Sequence, residues 1–366
     1  MNLISLTYTK KKDFDQPLAW LHRVRLYIGI LEELSQSYSV ISIDRINYQG
    51  DLFRNGVQHH FPDFGEGTFS AALKLNRRAS RMMPDIVLVQ GMIFPLQVIL
   101  LRIQLGRKVK IIVQNHAERP GRRHHRLLQT MADPFIDAYL FTAKEMGADW
   151  VRKHIIRRPE KIRQVMEASS VFRPGDSRTA RTRLGITGDP VFLWVGRLND
   201  NKDPLTVVKA FLSFAEWHST ARLYMLFHTR ELQPDIEAIL DSTPGGREKV
   251  MLVGEKTHTE IEQWYHAADY IISGSHYEGG GIAVCEAMSC GCIPVLTDIL
   301  SFRMMTGDGA CGILYPAGNI GALTLALEQI TAEDTTVEKQ KVLQQFRKEL
   351  SFGAIADRIH AIAASL

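Results

Sequence analysis

Tyr270–Asp298 reads YIISGSHYEGGGIAVCEAMSCGCIPVLTD. A β-branched run closes at about Ser273, three glycines follow (Gly279, Gly280, Gly281), and an apolar helix pattern runs from Ile282 to Ser289 until Gly291 stops it. A second β-branched run starts at Ile293. Strand, helix and strand at this spacing form a crossover unit whose two strands lie parallel. The same half holds VFLWVG (Val191–Gly196), RLYMLF (Arg222–Phe227) and VMLVGE (Val250–Glu255), each followed by a helix candidate. The first half repeats the alternation with NLISLTY (Asn2–Tyr8), SVISIDRI (Ser39–Ile46), DIVLVQ (Asp85–Gln90), KIIVQN (Lys110–Asn115) and AYLFTA (Ala138–Ala143). Stretches of period 3.6 such as Leu18–Ser35 separate them. The expected fold class is α/β, with two Rossmann-like, doubly wound parallel-sheet domains.

Between the halves, Val171–Pro190 carries Pro174, Gly175, Asp176, Gly185, Gly188 and Asp189 and has little strand character. The expected division is a first domain over 1–170, a linker over 171–189, a second domain over 190–340, and closing helices over 341–366. That closing pair, broken near Ser351–Gly353, is expected to pack back toward the first domain. Ligands of such sheets gather at the carboxyl ends of the strands. With two sheets facing each other, the expected site is the cleft.

The chain has 366 residues, of which 45% are hydrophobic and 23% charged, with a mean hydropathy of -0.10. These values exclude disordered, fibrous and membrane-embedded classes. The longest apolar stretch, Met92–Leu101, contains Pro95 and Gln97 and is half of the ~20 residues a membrane span needs. At the N-terminus, charges follow a short β-rich run, the reverse of a secretory signal, so a cytoplasmic location is expected. Cys285, Cys290, Cys292 and Cys311 show no C-x-x-C spacing and read as buried thiols. Up to Ser170 there are 26 Lys and Arg against 16 Asp and Glu, and afterwards 18 against 24. The resulting balance of +10 and -6 suggests that the first half meets something anionic, such as a phospholipid surface, a lipid-linked phosphate or a charged glycan.

The triple glycine places backbone N–H groups at a helix N-terminus with no side chain in the way, which is the geometry of an anion cradle. Neither the Walker pattern nor G-x-G-x-x-G is present. Glu278 and Glu286 frame the loop with seven residues between them. Carboxylates accept hydrogen bonds from sugar and ribose hydroxyls; the alternatives are acid and base work by the pair, as in glycosidases, and a helix-capping Glu278 with a solvated Glu286. A second cluster, WVGRLNDNKDPLTVVKAF (Trp194–Phe211), projects Arg197 and Lys202 from the end of a strand. Two cations there can neutralise a diphosphate leaving group without a metal.

These two segments, in this order and spacing, resemble the family 4 retaining glycosyltransferases, which have the GT-B fold. The family pattern is a strand followed by G-R and, a few residues on, K, then two glutamates with seven residues between them around a glycine-rich loop. Gly196-Arg197, Lys202, Glu278 and Glu286 match it. Val253–Ser275 and Leu350–Ile359 add support, so the likeness covers 165–366 well and the first half loosely. The resemblance implies hexosyl transfer from a nucleoside-diphosphate sugar. Arg197 and Lys202 would bind the diphosphate, with Gly280, Gly281 and Ile282 offering backbone N–H groups. Glu286 would hold the ribose and Glu278 the donor sugar, while Glu255, Lys256 and Thr257 would lie near the base. His116, at the end of KIIVQN, resembles a histidine that the family sets beside the donor sugar; a structural histidine is the alternative. Glu118 and Arg119 either face the same cleft or are exposed loop charges.

No metal and no cofactor beyond the nucleotide sugar is expected. Asp13-Phe14-Asp15 spells the D-x-D of a different, metal-dependent glycosyltransferase fold but lies directly after the first strand. The loop there, TKKKDFDQPLAWLHR, lacks the glycines that the family commonly has, which weakens any transfer of acceptor contacts. His22, Arg23 and Arg25 are the candidate acceptor contacts, against a solvated first turn. The basic runs Arg119–Arg126 and Arg152–Arg163 could hold the protein to an anionic inner leaflet as a peripheral membrane protein; nucleic acid lacks a motif. The expectation is a metal-independent retaining glycosyltransferase of surface-glycan, polysaccharide or glycolipid biosynthesis. A nucleotide-sugar epimerase of the same fold and a non-catalytic nucleotide-sugar-binding protein are its rivals.

Overall fold

The computed structural model describes residues 1–64 and 68–366, and the chain divides into two compact units. Met1–Ser169 and Phe352–Leu366 form the first, and Ser170–Ser351 the second. The first unit contains β1 (Asn2–Lys11), β2 (Ser39–Ile46), β3 (Gly50–Arg54), β4 (Val57–Phe61), β5 (Ile86–Gln90), β6 (Lys110–Gln114), β7 (Ala138–Phe141) and β8 (Ile162–Gln164). Their order in the sheet is β3-β4-β2-β1-β5-β6-β7-β8. The strands are parallel except for β3, which pairs antiparallel with β4. Asn55 and Gly56 join those two with φ of 46° and 82°, the left-handed pair that a tight hairpin turn requires. β3, β4 and β8 go beyond the five strands expected from the sequence. β8 has three residues, too few to show alternation, and β3 is largely exposed and so lacks an apolar face.

The second unit contains β9 (Val191–Gly196), β10 (Arg222–Phe227), β11 (Val250–Gly254), β12 (Tyr270–Ser273), β13 (Ile293–Thr297) and the three-residue β14 (Ile313–Tyr315). All are parallel, in the order β11-β10-β9-β12-β13-β14. Counted within the unit this is 3-2-1-4-5-6, the dinucleotide-binding order. Val191–Trp194 are buried, as a strand covered by helices on both faces must be. The Phe192 ring stacks on Tyr270 of β12 at 4.7 Å.

The stretch expected to be a linker holds a helix, Ser177–Leu184, which Asp176 caps by accepting from the Thr179 N–H. Arg181 of that helix donates to the Ala267 carbonyl (2.8 Å) and to Asp269 (2.6 Å). Asp269 also accepts from the Val191 N–H and from Lys339, so one carboxylate ties this segment to the start of β9 and to the helix Thr335–Gln345. Of the closing stretch 341–366, residues up to Ser351 belong to the second unit and Phe352–Ser365 to the first. There Phe352 packs so near Gly29 that a Cβ on Gly29 would lie 2.6 Å from its ring.

Candidate active site

β9 and β12 are sheet neighbours whose pairing stops after Phe192–Tyr270 and Leu193–Ile271, whereas β9 and β10 pair as far as Gly196. The carboxyl ends of β9 and β12 therefore part, and the sheet order reverses at this point, where ligands of doubly wound sheets bind. Arg197–Asp203 leaves one strand and Gly274–Gly281 the other.

The two loops are knitted together. A Cβ on Gly274 would lie 2.8 Å from the Asp203 carbonyl oxygen and 3.1 Å from that of Lys202, so only glycine permits the approach. The His276 N–H donates to the Asn201 carbonyl (2.8 Å), and the Asn201 side chain donates to the Tyr277 carbonyl (3.0 Å). His276 Nε2 meets Asp203 Oδ2 at 3.1 Å, while Asp203 Oδ1 caps the helix Pro204–Trp217. Across this joint the Lys202 ammonium and the Glu278 carboxylate form a part-buried ion pair. The family resemblance assigns these two residues to separate parts of the ligand, and the structure brings them into contact. Glu278 thus pairs with a lysine rather than capping the helix; the cap is Gly281, in the left-handed region with φ of 51°. A Cβ there would lie 2.8 Å from the buried Phe302 ring. Gly279 and Gly280 are buried, and Ile282 opens the helix Ile282–Ser289. Arg197 is exposed at the same edge.

Glu286 is 5% exposed, which rules out a solvated helix residue. His258 Nε2 meets its Oε1 at 2.6 Å, and the Tyr265 hydroxyl donates to its Oε2 at 3.2 Å. Burial, followed by the Glu286 charge, pushes the Tyr265 hydroxyl well above its ordinary range. Neither partner was singled out from the sequence. The available signal was their seven-residue separation, which puts both on one face of the helix His258–Ala267. Glu255, Lys256 and Thr257 follow β11, and Thr257 closes a capping box with Glu260 at the start of that helix.

In the first unit, His116 follows β6. Its Nδ1 meets Glu167 Oε2 at 2.7 Å and its Nε2 meets Gln90 Oε1 at 2.9 Å. Gln90 donates its own amide to Ser5, which leaves its oxygen to accept from the imidazole. The Tyr27 ring packs edge-on at 5.5 Å, its hydroxyl pushed up to about 12 by burial and then by the Glu167 charge. Glu118 is not an exposed loop charge. Its carboxylate accepts the Met92 N–H (3.0 Å) and the His116 N–H (2.5 Å) and so staples the ends of β5 and β6. His22 and Arg25 bond each other at 2.5 Å around the end of the helix Pro17–Arg23, and His22 and Arg23 are exposed. Asp13 and Asp15 are exposed, and the Phe14 between them packs on Trp20. Among the described residues no group of three or more His, Cys, Asp or Glu is placed to hold a metal ion. The four cysteines are unpaired, and burial pushes the Cys290 and Cys311 thiols up to about 12. In the basic run Arg119–Arg126, the side chains of Arg123 and His124 lie outside the described residues.

Arg197, Lys202, the Gly279–Gly281 turn, Glu278 and Glu286 all lie in the second unit, and the family comparison falls on that unit. Residues 176–349 match the glycosyl transferases group 1 family. A relative named D-inositol 3-phosphate glycosyltransferase, from Acidothermus cellulolyticus, is 32% identical over 184 residues, 46% of this chain and 41% of its own length. The chain spans less than half the length of the curated glycosyltransferases it matches. Two solved structures match the whole chain in fold. HepE of Anabaena in complex with UDP has a TM-score of 0.72 at 14% identity, covering 100% of both chains. A sucrose-phosphate synthase from Thermosynechococcus elongatus has a TM-score of 0.70 at 15% identity, covering 100% of this chain and 99% of its own. The fold is that of the GT-B glycosyltransferases, with a parallel-sheet unit in each half.

Proposed function

We propose that the chain is a family 4 retaining glycosyltransferase that moves a hexosyl group from a nucleoside-diphosphate sugar to an acceptor hydroxyl. The observation that carries this reading is the meeting of Lys202 with Glu278 at the switch point, where the loop that begins with Arg197 and the loop that carries Gly279–Gly281 leave β9 and β12. The diphosphate takes Arg197, Lys202 and the N–H groups of Gly280, Gly281 and Ile282. As the sugar's C1–O bond to phosphate breaks, charge grows on the departing oxygen, where fixed cations and N–H dipoles stabilise it most. The acceptor oxygen bonds C1 on the same face, and its proton goes to the departing phosphate oxygen. No glycosyl–enzyme bond is formed, and the anomeric configuration is kept. Glu278, on exchanging Lys202 for the ligand, orients the sugar hydroxyls, and Glu286 holds the ribose. Because two side-chain cations meet the diphosphate, the reaction proceeds without a metal or other cofactor.

His116 is proposed to hydrogen-bond the donor sugar, which requires it to release Gln90. Glu255, Lys256 and Thr257 are placed near the base, and His22, Arg23 and Arg25 near the acceptor. The acceptor is a glycan or a lipid-linked sugar of cell-surface polysaccharide or glycolipid assembly. The basic first half rests peripherally on an anionic cytoplasmic leaflet, for which exposed Leu96, Ile103, Leu127 and Met131 supply apolar contact. Among the described residues no helix is long and apolar enough to cross a membrane.

A thermal-shift screen of UDP, GDP, ADP and their sugar conjugates, with and without EDTA, tests the reading, since a ligand of the native state raises the melting temperature. One nucleotide should shift it whether or not EDTA is present. No shift with any of them, or one abolished by EDTA, would overturn the proposal.

A further inference from the structure

We propose that His258 is a positioning residue for Glu286, orienting that carboxylate to read the hydroxyls of a ribose; the inference rests on Glu286 being the ribose contact. A buried carboxylate can grip a diol only if its plane is set beforehand. Here a separate donor reaches each oxygen, His258 Nε2 at Oε1 and the Tyr265 hydroxyl at Oε2. Two donors on different oxygens fix rotation about the terminal bond of the side chain. Tyr265 is wholly buried and belongs to the core, whereas the His258 side chain is 31% exposed and sits at the rim.

The imidazole is itself held. The Phe172 ring packs on it with 4.4 Å between centroids. The Phe172 N–H donates to Ser170 Oγ (3.0 Å), which accepts from Ser289 Oγ (2.8 Å) on the helix that carries Glu286. The circuit closes from that helix through Ser170, Phe172 and His258 back to Glu286. His258 Nδ1, by contrast, is buried without a hydrogen-bond partner. An apolar ring would fill the same space with no such penalty, so packing alone does not account for a histidine here.

The test is calorimetric titration of the full-length protein with UDP, ADP and GDP and with the 2′-deoxy form of whichever binds. The wild type should prefer the ribose form. H258A and H258F should bind it roughly tenfold more weakly, the scale of one hydrogen bond to a charged group, with deoxy binding unchanged. H258Q, which keeps a donor on a chain of similar reach, should restore much of the preference. H258A/E286A should bind no more weakly than E286A, because both substitutions remove one function. If E286A loses the ribose preference while H258A and H258F keep it, the role of His258 is refuted and Glu286 remains the ribose contact. Equal weakening of ribose and deoxyribose forms by every His258 variant would show a merely structural residue and likewise refute it. If E286A binds like the wild type, or no nucleotide binds at all, the reading beneath the inference falls and the inference falls with it.

Discussion

Acid should destabilise the first unit through one buried histidine. His59 on β4 is 0% exposed, and neither ring nitrogen has a hydrogen-bond partner. Burial above all, with smaller contributions from Arg54 and His60, depresses its titration from the ordinary 6.5 to about 4. The unfolded chain therefore binds a proton near neutrality that the folded chain refuses until far lower pH, so stability is present above the unfolded value and is lost as pH falls. Between about pH 7.5 and about pH 4.5 the protonation equilibria with those two values give a loss of about 2.5 kcal/mol from this residue. Carboxylates titrate over the same range, and comparison with His59→Leu removes them. Urea denaturation of the full chain, followed at the transition in which β4 loses hydrogen-exchange protection, should show His59→Leu gaining on the wild type by about that amount on acidification. His59→Leu should also be more stable at neutral pH, because it deletes two buried unpaired nitrogens. A gap that stays constant with pH would refute the reasoning, since the ring would then titrate in the fold as it does in the unfolded chain.

Gly281→Ala must place a Cβ 2.8 Å from the Phe302 ring and 3.2 Å from Met305 at a φ of 51°; chemical denaturation should show a loss of roughly 2–4 kcal/mol, and one below about 1 kcal/mol would mean that the loop relaxes freely. Lys202→Ala removes the cation proposed for the diphosphate and leaves Glu278 without its ion-pair partner. Turnover with the sugar donor should fall about 100-fold at unchanged far-ultraviolet circular dichroism, and wild-type turnover would exclude the lysine from the reaction. Glu118→Ala leaves the Met92 and His116 N–H groups without their acceptor. Exchange of these two amides should speed up and stability should drop by about 1–3 kcal/mol; unchanged protection would refute the staple.

The alternation of β-branched runs with helical stretches made the α/β class and ten strands legible in the sequence, because strands covered on both faces read as continuous apolar runs. Of the others, β3 is an exposed edge strand and β8 and β14 have only three residues, while β4 is an interior strand whose sequence, VQHHF, has apolar residues only at its two ends, although Asn55-Gly56 is a hairpin signal in plain sight. Helix Ser177–Leu184 was masked by the glycines and prolines around it, and its attachment depends on Asp269, ninety residues away in round terms and silent locally. Glu286 could be named from its spacing to Glu278, but its burial and its two donors could not.

By itself the sequence determined the two parallel sheets, the glycine cradle with its flanking carboxylates, and the cations after β9, all features written in local periodicity and in residue types suited to one chemistry. Only the tertiary structure decided which of these residues meet. The contacts of Lys202 with Glu278, His258 with Glu286, His116 with Glu167, and Glu118 with the ends of two strands each join elements that sheet order brings together. Sheet order arises from packing and crossover handedness summed over a whole unit, and no single segment carries it.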